Sequence, residues 1–142
     1  MDNDVGLTHI ALVVSDIDVS TAFYARYASM TVVHERHDDD VHIVWISDRT
    51  RPFVIVLAHG PLMEHPLGPF GHLGVGCESR AEVDRLCDLA RREGRLALGP
   101  SDSGYPVGYW ALVRDPDGHM VELSFGQEVG LAVAASEDEA EE

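Results

Sequence analysis

Histidine and acidic side chains supply most of the chemistry that this sequence could perform. The 142 residues include eight histidines and 25 acidic residues, whereas all ten basic residues are arginines. Imidazole and carboxylate groups bind divalent metal ions and transfer protons near neutral pH. The absence of lysine excludes Schiff-base chemistry and a phosphate-binding P-loop. Several of these residues lie within strand-like runs, among them His9, His34, His42, His72 and Glu122.

A second group of histidines surrounds an acidic turn. His34, His37 and His42 flank Asp38–Asp40, which superficially suggests another metal site. Their spacing places them around a hairpin turn, where a charged cluster is usually solvated. We therefore favour a solvated cluster over a metal site at this position.

The first half of the chain predicts one βαβββ unit over residues 6–59. Leu7–Val14 is a short apolar run suited to a buried strand, and Ser15 or Asp16 can cap the following helix. Apolar residues at helical spacing continue to Tyr27. Three strand-like runs follow, separated by turn or polar clusters: Thr31–Arg36, Val41–Ser47 and Pro52–Ala58.

The second half, residues 70–126, repeats this order after a proline- and glycine-rich linker at 60–69. Its helix has Ser79 as a candidate N-cap and Gly94 as a C-terminal stop. Superposing the two halves places His9 on His72. Two βαβββ units therefore compose the domain, and each needs the other to bury its sheet. The strand-like runs of this half are Phe70–Cys77, Arg95–Leu98, Gly108–Arg114 and His119–Phe125.

Four segments of the chain resemble the vicinal oxygen chelate superfamily, which includes glyoxalase I, extradiol dioxygenases and the fosfomycin and bleomycin resistance proteins. The segments are Thr8–Val14 (THIALVV), Ala22–Tyr24 (AFY), Gly71–Val75 (GHLGV) and Asp115–Leu123 (DPDGHMVEL). The resemblance covers roughly residues 6–126 and implies an α+β fold in which two βαβββ modules form curved mixed sheets around a metal-binding groove. A single domain over residues 1–130 is expected.

The resemblance implies that His9, His72 and Glu122 are metal ligands, while the fourth ligand position of the family is occupied by Val56. Two imidazoles and one carboxylate can hold one face of a divalent ion and leave positions open for substrate, water or dioxygen. Fe(II) or Mn(II) is the favoured ion, with Zn(II) or Ni(II) as alternatives. Bleomycin-binding relatives keep this fold without a metal, so an empty scaffold is the competing interpretation.

Family pattern and strand alternation together predict an apolar, aromatic substrate pocket beside the metal. Such a pocket suits a small aromatic or vicinal-oxygen ligand, and no catalytic residue can be assigned. The residues predicted to line it are Val56, Phe70, Tyr109, Trp110 and Leu112.

Three functions remain open, and an enzyme is favoured over a binding protein. The leading hypothesis is a dioxygenase, because three protein ligands leave adjacent positions open for a catecholate and dioxygen. The second is a glyoxalase-like isomerase or lyase, or a thiol transferase. Val56 argues against glyoxalase I itself, which needs a carboxylate there as ligand and base. The third is a non-catalytic protein that binds a small molecule or drug.

Charge and composition limit the classes of molecule that this protein could bind. The formal net charge is −15, there is no basic patch, and residues 131–142 predict an acidic, disordered tail. Nucleic acid and membrane surfaces are therefore poor candidates. The N-terminus does not resemble a signal peptide, and Cys77 and Cys87 suggest reduced, buried thiols, so we expect a cytoplasmic protein. The resemblance also implies a homodimer.

Overall fold

The computed structural model of this protein describes residues 7–61, 64, 66–68 and 71–141. The described residues form two four-stranded sheets and three helices. The elements in chain order are β1 (His9–Val14), α1 (Ile17–Ala28), β2 (Thr31–Asp38), β3 (Val41–Ser47), β4 (Val54–His59), β5 (Leu73–Gly76), α2 (Arg80–Arg92), β6 (Leu96–Asp102), β7 (Tyr109–Arg114), β8 (Met120–Phe125) and α3 (Val129–Glu141).

Each sheet mixes parallel and antiparallel strands in the same way. The strand order is β1-β4-β3-β2 in one sheet and β5-β8-β7-β6 in the other. The β1–β4 and β5–β8 pairs are parallel, and the remaining pairs are antiparallel. The predicted α+β fold with two βαβββ modules is thereby confirmed. We call β1–β4 with α1 module one, and β5–β8 with α2 module two.

The chain divides into two compact units that follow the modules. The first unit runs to Pro66 and includes the turn Asp115–Gly118, and the second contains Leu67–Arg114 and His119–Glu142. Among the described residues, no helix has the length and apolar character needed to cross a membrane.

Helix α1 packs one face of module one through aromatic side chains. It begins after Asp16, whose carboxylate accepts a hydrogen bond of 3.1 Å from the Val19 amide. Such a cap satisfies one of the free amides of the first helical turn. Phe23, Tyr24 and Tyr27 are almost fully buried, and the rings of Phe23 and Tyr27 stack at 4.4 Å. Because this face of the sheet is covered by the helix, the opposite face carries the more exposed side chains.

Helix α2 covers one face of module two in the equivalent way. Ser79 Oγ accepts a 3.0 Å hydrogen bond from the Glu82 amide, as the sequence predicts for an N-cap. Gly94 follows the helix with a φ of +71°, a left-handed conformation that favours glycine. Val83 and Cys87 of the helix form a buried cluster with residues of β7.

The C-terminal segment differs from its sequence prediction. Acidic composition predicts a disordered tail over residues 131–142, whereas the structure has helix α3 at Val129–Glu141. Alanine and glutamate are strong helix formers, so local propensity accounts for a helix in this segment. The apolar side chains of Val129, Leu131 and Val133 are 60%, 61% and 54% exposed, so they add little to the core.

Candidate metal centre

Strand register makes the predicted ligand positions of the two modules equivalent. In module one, Ala11 lies two residues after His9 and is paired with Val56 of β4. In module two, Gly74 lies two residues after His72 and is paired with Glu122 of β8. Because side chains alternate along a strand, each histidine lies on the same sheet face as the partner residue. His9 with Val56 therefore corresponds to His72 with Glu122.

The module two pair has the donor atoms and separation that a divalent ion requires. His72 Nε2 lies 3.4 Å from Glu122 Oε2, and the two side chains are 36% and 12% exposed. Nitrogen and oxygen ligands each about 2.1 Å from an ion at a tetrahedral angle are about 3.4 Å apart. The donor types and their separation are therefore compatible with a shared divalent ion.

The equivalent pair in module one, His9 with Val56, lies in a groove on the exposed face of its sheet. The groove has a volume of about 630 Å³ and contains both His9 and Val56. His9 itself is exposed, and its Nδ1 lies 3.0 Å from the hydroxyl of Thr8. The groove is lined by strand residues and by the β3–β4 loop, namely Thr8, His9, Val33, His34, Trp45, Ser47, Arg49, Arg51, Pro52, Phe53, Val54 and Val56.

Two of the other predicted pocket residues share the sheet face of Glu122. Leu112 is paired with Glu122, and Trp110 is paired with Ser124 on the adjacent strand. Trp110 is half-buried, and its indole Nε1 donates a 2.8 Å hydrogen bond to Ser103 Oγ. Phe70, which was also predicted to line the pocket, lies outside the described residues.

Tyr109 lies on the other face of β7, contrary to the pocket prediction. It packs with Val83 and Cys87 of α2, and its hydroxyl donates a hydrogen bond to Asp84, which raises the pKa of Tyr109. The guanidinium of Arg80 lies 3.9 Å from the ring centroid, within cation–π range. Strand alternation explains the correction, since Tyr109 and Trp110 are consecutive residues and must face opposite sides.

Sequence reasoning missed several residues of the module one groove. Trp45 is paired with Val56, and His34 with Trp45, so all three share the groove face. Alternation along β3 could have identified Trp45. Arg49 and Arg51 belong to the β3–β4 loop, which has no periodicity from which their position could be predicted.

Neither cysteine is suited to act as a nucleophile. Cys77 and Cys87 are free thiols, partly and fully buried respectively. Burial is the main cause that raises the pKa of Cys77 to about 11, and it also raises the pKa of Cys87. A thiol, not the reactive thiolate, is therefore present at both positions at neutral pH.

Residues 6–123 match the sequence profile of the Glyoxalase/Bleomycin resistance protein/Dioxygenase superfamily. The chain belongs to this superfamily. An uncharacterized protein of Pseudomonas aeruginosa is 38% identical over 127 residues, which cover 87% of this chain and 91% of that protein. A probable lactoylglutathione lyase of Vibrio parahaemolyticus is 29% identical over 126 residues, which cover 82% of this chain and 88% of the lyase.

Solved structures share the fold at lower identity. Glyoxalase I of Leishmania major, described as trypanothione-dependent, has a TM-score of 0.72 and 23% identity, with 96% of this chain and 98% of that chain covered. A mutant of the fosfomycin resistance protein FosX of Listeria monocytogenes was solved with Mn(II) and 1S,2S-dihydroxypropylphosphonic acid. Its TM-score is 0.70 at 18% identity, with 92% of this chain and 99% of that chain covered. These similarities concern the fold.

Proposed function

We propose that this protein is a metal-dependent enzyme of the lyase or isomerase type, acting on a small anionic substrate with adjacent oxygen atoms. His9, His72 and Glu122 are its proposed metal ligands. The observation that carries the proposal is the His72–Glu122 pair, whose donor atoms are 3.4 Å apart at the position equivalent to His9 and Val56. A divalent ion held there supplies Lewis-acid polarisation of a substrate oxygen.

The groove of module one supports the anionic substrate class. Arg49 and Arg51 line it in a chain whose net charge is −15, so these arginines provide the local positive charge that an anion needs. Trp45 and Phe53 add aromatic surface for the rest of the molecule. Lactoylglutathione and a dihydroxyphosphonate, which the names of relatives and of a neighbouring structure mention, are both anionic and oxygen-rich.

Val56 determines which chemistry of the superfamily the proposal includes. Its side chain has no lone pair, so it can neither bind the ion nor accept a proton from substrate. Methylglyoxal–glutathione isomerisation of the glyoxalase I type needs a carboxylate in that role. The proposed substrate is therefore a different anionic compound, and we expect no appreciable conversion of the methylglyoxal–glutathione hemithioacetal.

A dioxygenase is the second candidate, and the same residue favours it. With Val56 in place of a fourth ligand, adjacent positions stay open for a bidentate aromatic substrate and dioxygen. The sequence alone favours this reaction with Fe(II) or Mn(II). We rank the lyase or isomerase first because several relatives at 25–29% identity are named lactoylglutathione lyases.

Metal content and oxygen consumption separate the candidates. Protein purified without added metal is analysed for its elements and then loaded with Fe(II), Mn(II), Zn(II) or Ni(II) in turn. The proposal predicts stoichiometric metal and substrate turnover without oxygen uptake. Retention of none of the four ions contradicts it, and oxygen uptake with catechols replaces it by the dioxygenase. Ligand binding without any turnover would instead indicate a binding protein.

The two arginines test the substrate class separately from the metal. Arg49→Ala or Arg51→Ala should raise KM for an anionic substrate by about tenfold and leave a neutral analogue unaffected, because a charge-assisted contact is lost. Arg92→Ala, at an exposed position at the end of α2, is the matched control and should change neither value.

We also propose that the protein is a cytoplasmic homodimer, as the superfamily resemblance implies. Mixing His9→Ala with Glu122→Ala tests which chain supplies His9. If His9 and Glu122 act from different chains, about a quarter of the sites in a random mixture regain all three ligands. If they act from one chain, no site does. A monomeric mass by light scattering at micromolar concentration would contradict the dimer.

A further inference from the structure

The β2–β3 hairpin brings together three side chains that can bind a metal, away from the proposed centre. His37 and His42 are directly paired across the two strands, and their rings stack at 4.2 Å with an interplanar angle of 10°. Glu35 precedes His37 by two residues and so shares its face of β2. Glu35 Oε1 lies 2.8 Å from His42 Nε2.

Strand alternation separates His34 from the other two histidines of this hairpin. His37 and His42 flank the turn and are directly paired, whereas His34 is paired with Trp45. His34 and His37 are three residues apart and therefore lie on opposite faces of β2. Glu35 replaces His34 as the third member of the group.

The geometry of this group suits a borderline transition-metal ion. One donor atom from each of Glu35, His37 and His42 lies within 4.8 Å of the others. Ligand atoms around one ion are about 3.0–4.2 Å apart, so rotations of partly or fully exposed side chains bring the three into range. The Glu35–His42 hydrogen bond already aligns a carboxylate with an imidazole nitrogen, and an ion would replace the shared proton.

The surroundings of the group favour a cation. His37 and His42 line a recess of about 390 Å³ together with acidic side chains. Clustered carboxylates with few nearby cations raise the local concentration of positive ions. The other residues that line the recess are Ser15, Asp16, Ile17, Asp18, Asp38, Asp39, Asp40, Val41 and His59.

We propose that Glu35, His37 and His42 form a second divalent-metal site, selective for Zn(II), Ni(II) or Cu(II). Two imidazoles and one carboxylate are ligands that these ions prefer, whereas Mg(II) and Ca(II) prefer oxygen alone. The site joins β2, which is the edge strand of its sheet, to β3. None of its three residues occupies a predicted ligand position in either module, so this site does not depend on the proposed function.

The test isolates the hairpin by removing the other centre. Zn(II), Ni(II) and Cu(II) are titrated by calorimetry into full-length protein carrying His72→Ala and Glu122→Ala. One ion per chain is expected. Adding His42→Gln or His37→Gln to this variant should lower the affinity for the ion by about tenfold or more. His34→Gln is the matched control, since this residue lies on the same strand but on the opposite face.

Two outcomes overturn the second site. One is the absence of binding tighter than about 100 µM for all three ions. The other is binding that His37→Gln and His42→Gln leave unchanged. If the double variant does not fold, the comparison is made in the wild-type chain, where His42→Gln should lower the number of bound ions by one. If the wild-type chain binds metal at the hairpin but none at the His72–Glu122 pair, the result counts against the proposed function and not against the hairpin site.

Discussion

The two βαβββ modules have the same strand order and equivalent pairing of their parallel strands, but only one has a carboxylate at the position paired with its glycine or alanine. Val56 in module one is paired with Ala11, and Glu122 in module two is paired with Gly74. Val56 and Glu122 are both half-buried. The fold therefore accepts either side chain there, whereas metal binding requires a lone pair. The two modules therefore differ in the chemistry of the side chain at this position and not in their strand order.

Each of the two compact units also holds a helix through a hydrogen bond between a tyrosine and an aspartate. The helix supplies the tyrosine in one unit and the aspartate in the other. In the first unit the helix supplies Tyr24, whose hydroxyl donates a 2.8 Å hydrogen bond to the buried carboxylate of Asp115. In module two the helix supplies Asp84, and Tyr109 of β7 is the donor. Asp115 is 2% exposed, whereas Asp84 is exposed to solvent. The first contact should therefore stabilise the fold more, because water does not readily replace a hydrogen bond to a buried carboxylate.

Glu122→Val makes module two like module one and should have the largest effect. Metal affinity at the proposed centre should fall by at least about 100-fold, because a ligand is lost. The chain should stay folded, since valine already occupies the equivalent position of module one. The measurement is a Mn(II) or Ni(II) titration in a His42→Gln background, which removes the hairpin site. The exposed Glu78→Gln is the control, and undiminished binding in Glu122→Val would refute the ligand assignment.

Val56→Glu makes module one like module two. A fourth ligand should raise metal affinity by about tenfold or more and hinder chelation of a catechol probe, because one more position on the ion is occupied. Val19→Glu is the matched control, since it adds the same charge to module one at an exposed position of α1 outside the groove. Equal effects of the two variants would mean that residue 56 does not face the ion.

Much of this arrangement could be predicted from the sequence because both modules obey simple periodicities. The apolar runs, the caps at Asp16 and Ser79 and the repeat that aligns His9 with His72 all follow from residue patterns. The pairing of His37 with His42 also follows from the predicted hairpin, because both residues flank its turn. The pairing of Val32 with Ile46 could not be predicted, because the register shifts between Val32 and His34. Local patterns do not reveal such a shift, since it depends on which residues of the neighbouring strand are available.

The orientation of Tyr109 could also have been predicted, because Tyr109 precedes Trp110 within the predicted strand Gly108–Arg114 and alternation places the two on opposite faces. The position of the β3–β4 loop could not. Arg49 and Arg51 line the groove only because the β3–β4 loop folds against the sheet face. In the C-terminal segment two sequence signals disagree, because its acidic composition predicts disorder whereas its alanines favour a helix.

Tyr24→Phe and Tyr109→Phe test the difference between the two helix contacts. Tyr24→Phe should lower the free energy of unfolding by about 1.5–3 kcal/mol, because it removes a hydrogen bond to a buried charged group. Tyr109→Phe should cost less than about 1 kcal/mol, because water can replace its contact with the exposed Asp84. Burial, followed by the charge of Asp115, raises the pKa of Tyr24, so its hydroxyl stays protonated and donates throughout the neutral range. Urea unfolding at pH 7 measures both values, and equal losses would contradict the proposed difference.

Deletion of Ser136–Glu142 should have the smallest effect, because helix α3 has no counterpart in module one. Within α3, Ser136 lies at the end of a surface depression and donates a hydrogen bond to the carbonyl of Val133 of the same helix, and Glu137 is exposed. The thermal midpoint and metal content should therefore stay within about 1 °C and within error of the full chain. Deletion from Val129 onward is the contrasting variant. It also removes Val129 and Val133, which line a surface depression with Pro106 and Val107, and should lower the midpoint by about 2–4 °C. A comparable drop in the thermal midpoint after deletion of Ser136–Glu142 would show that the acidic end of α3 stabilises module two.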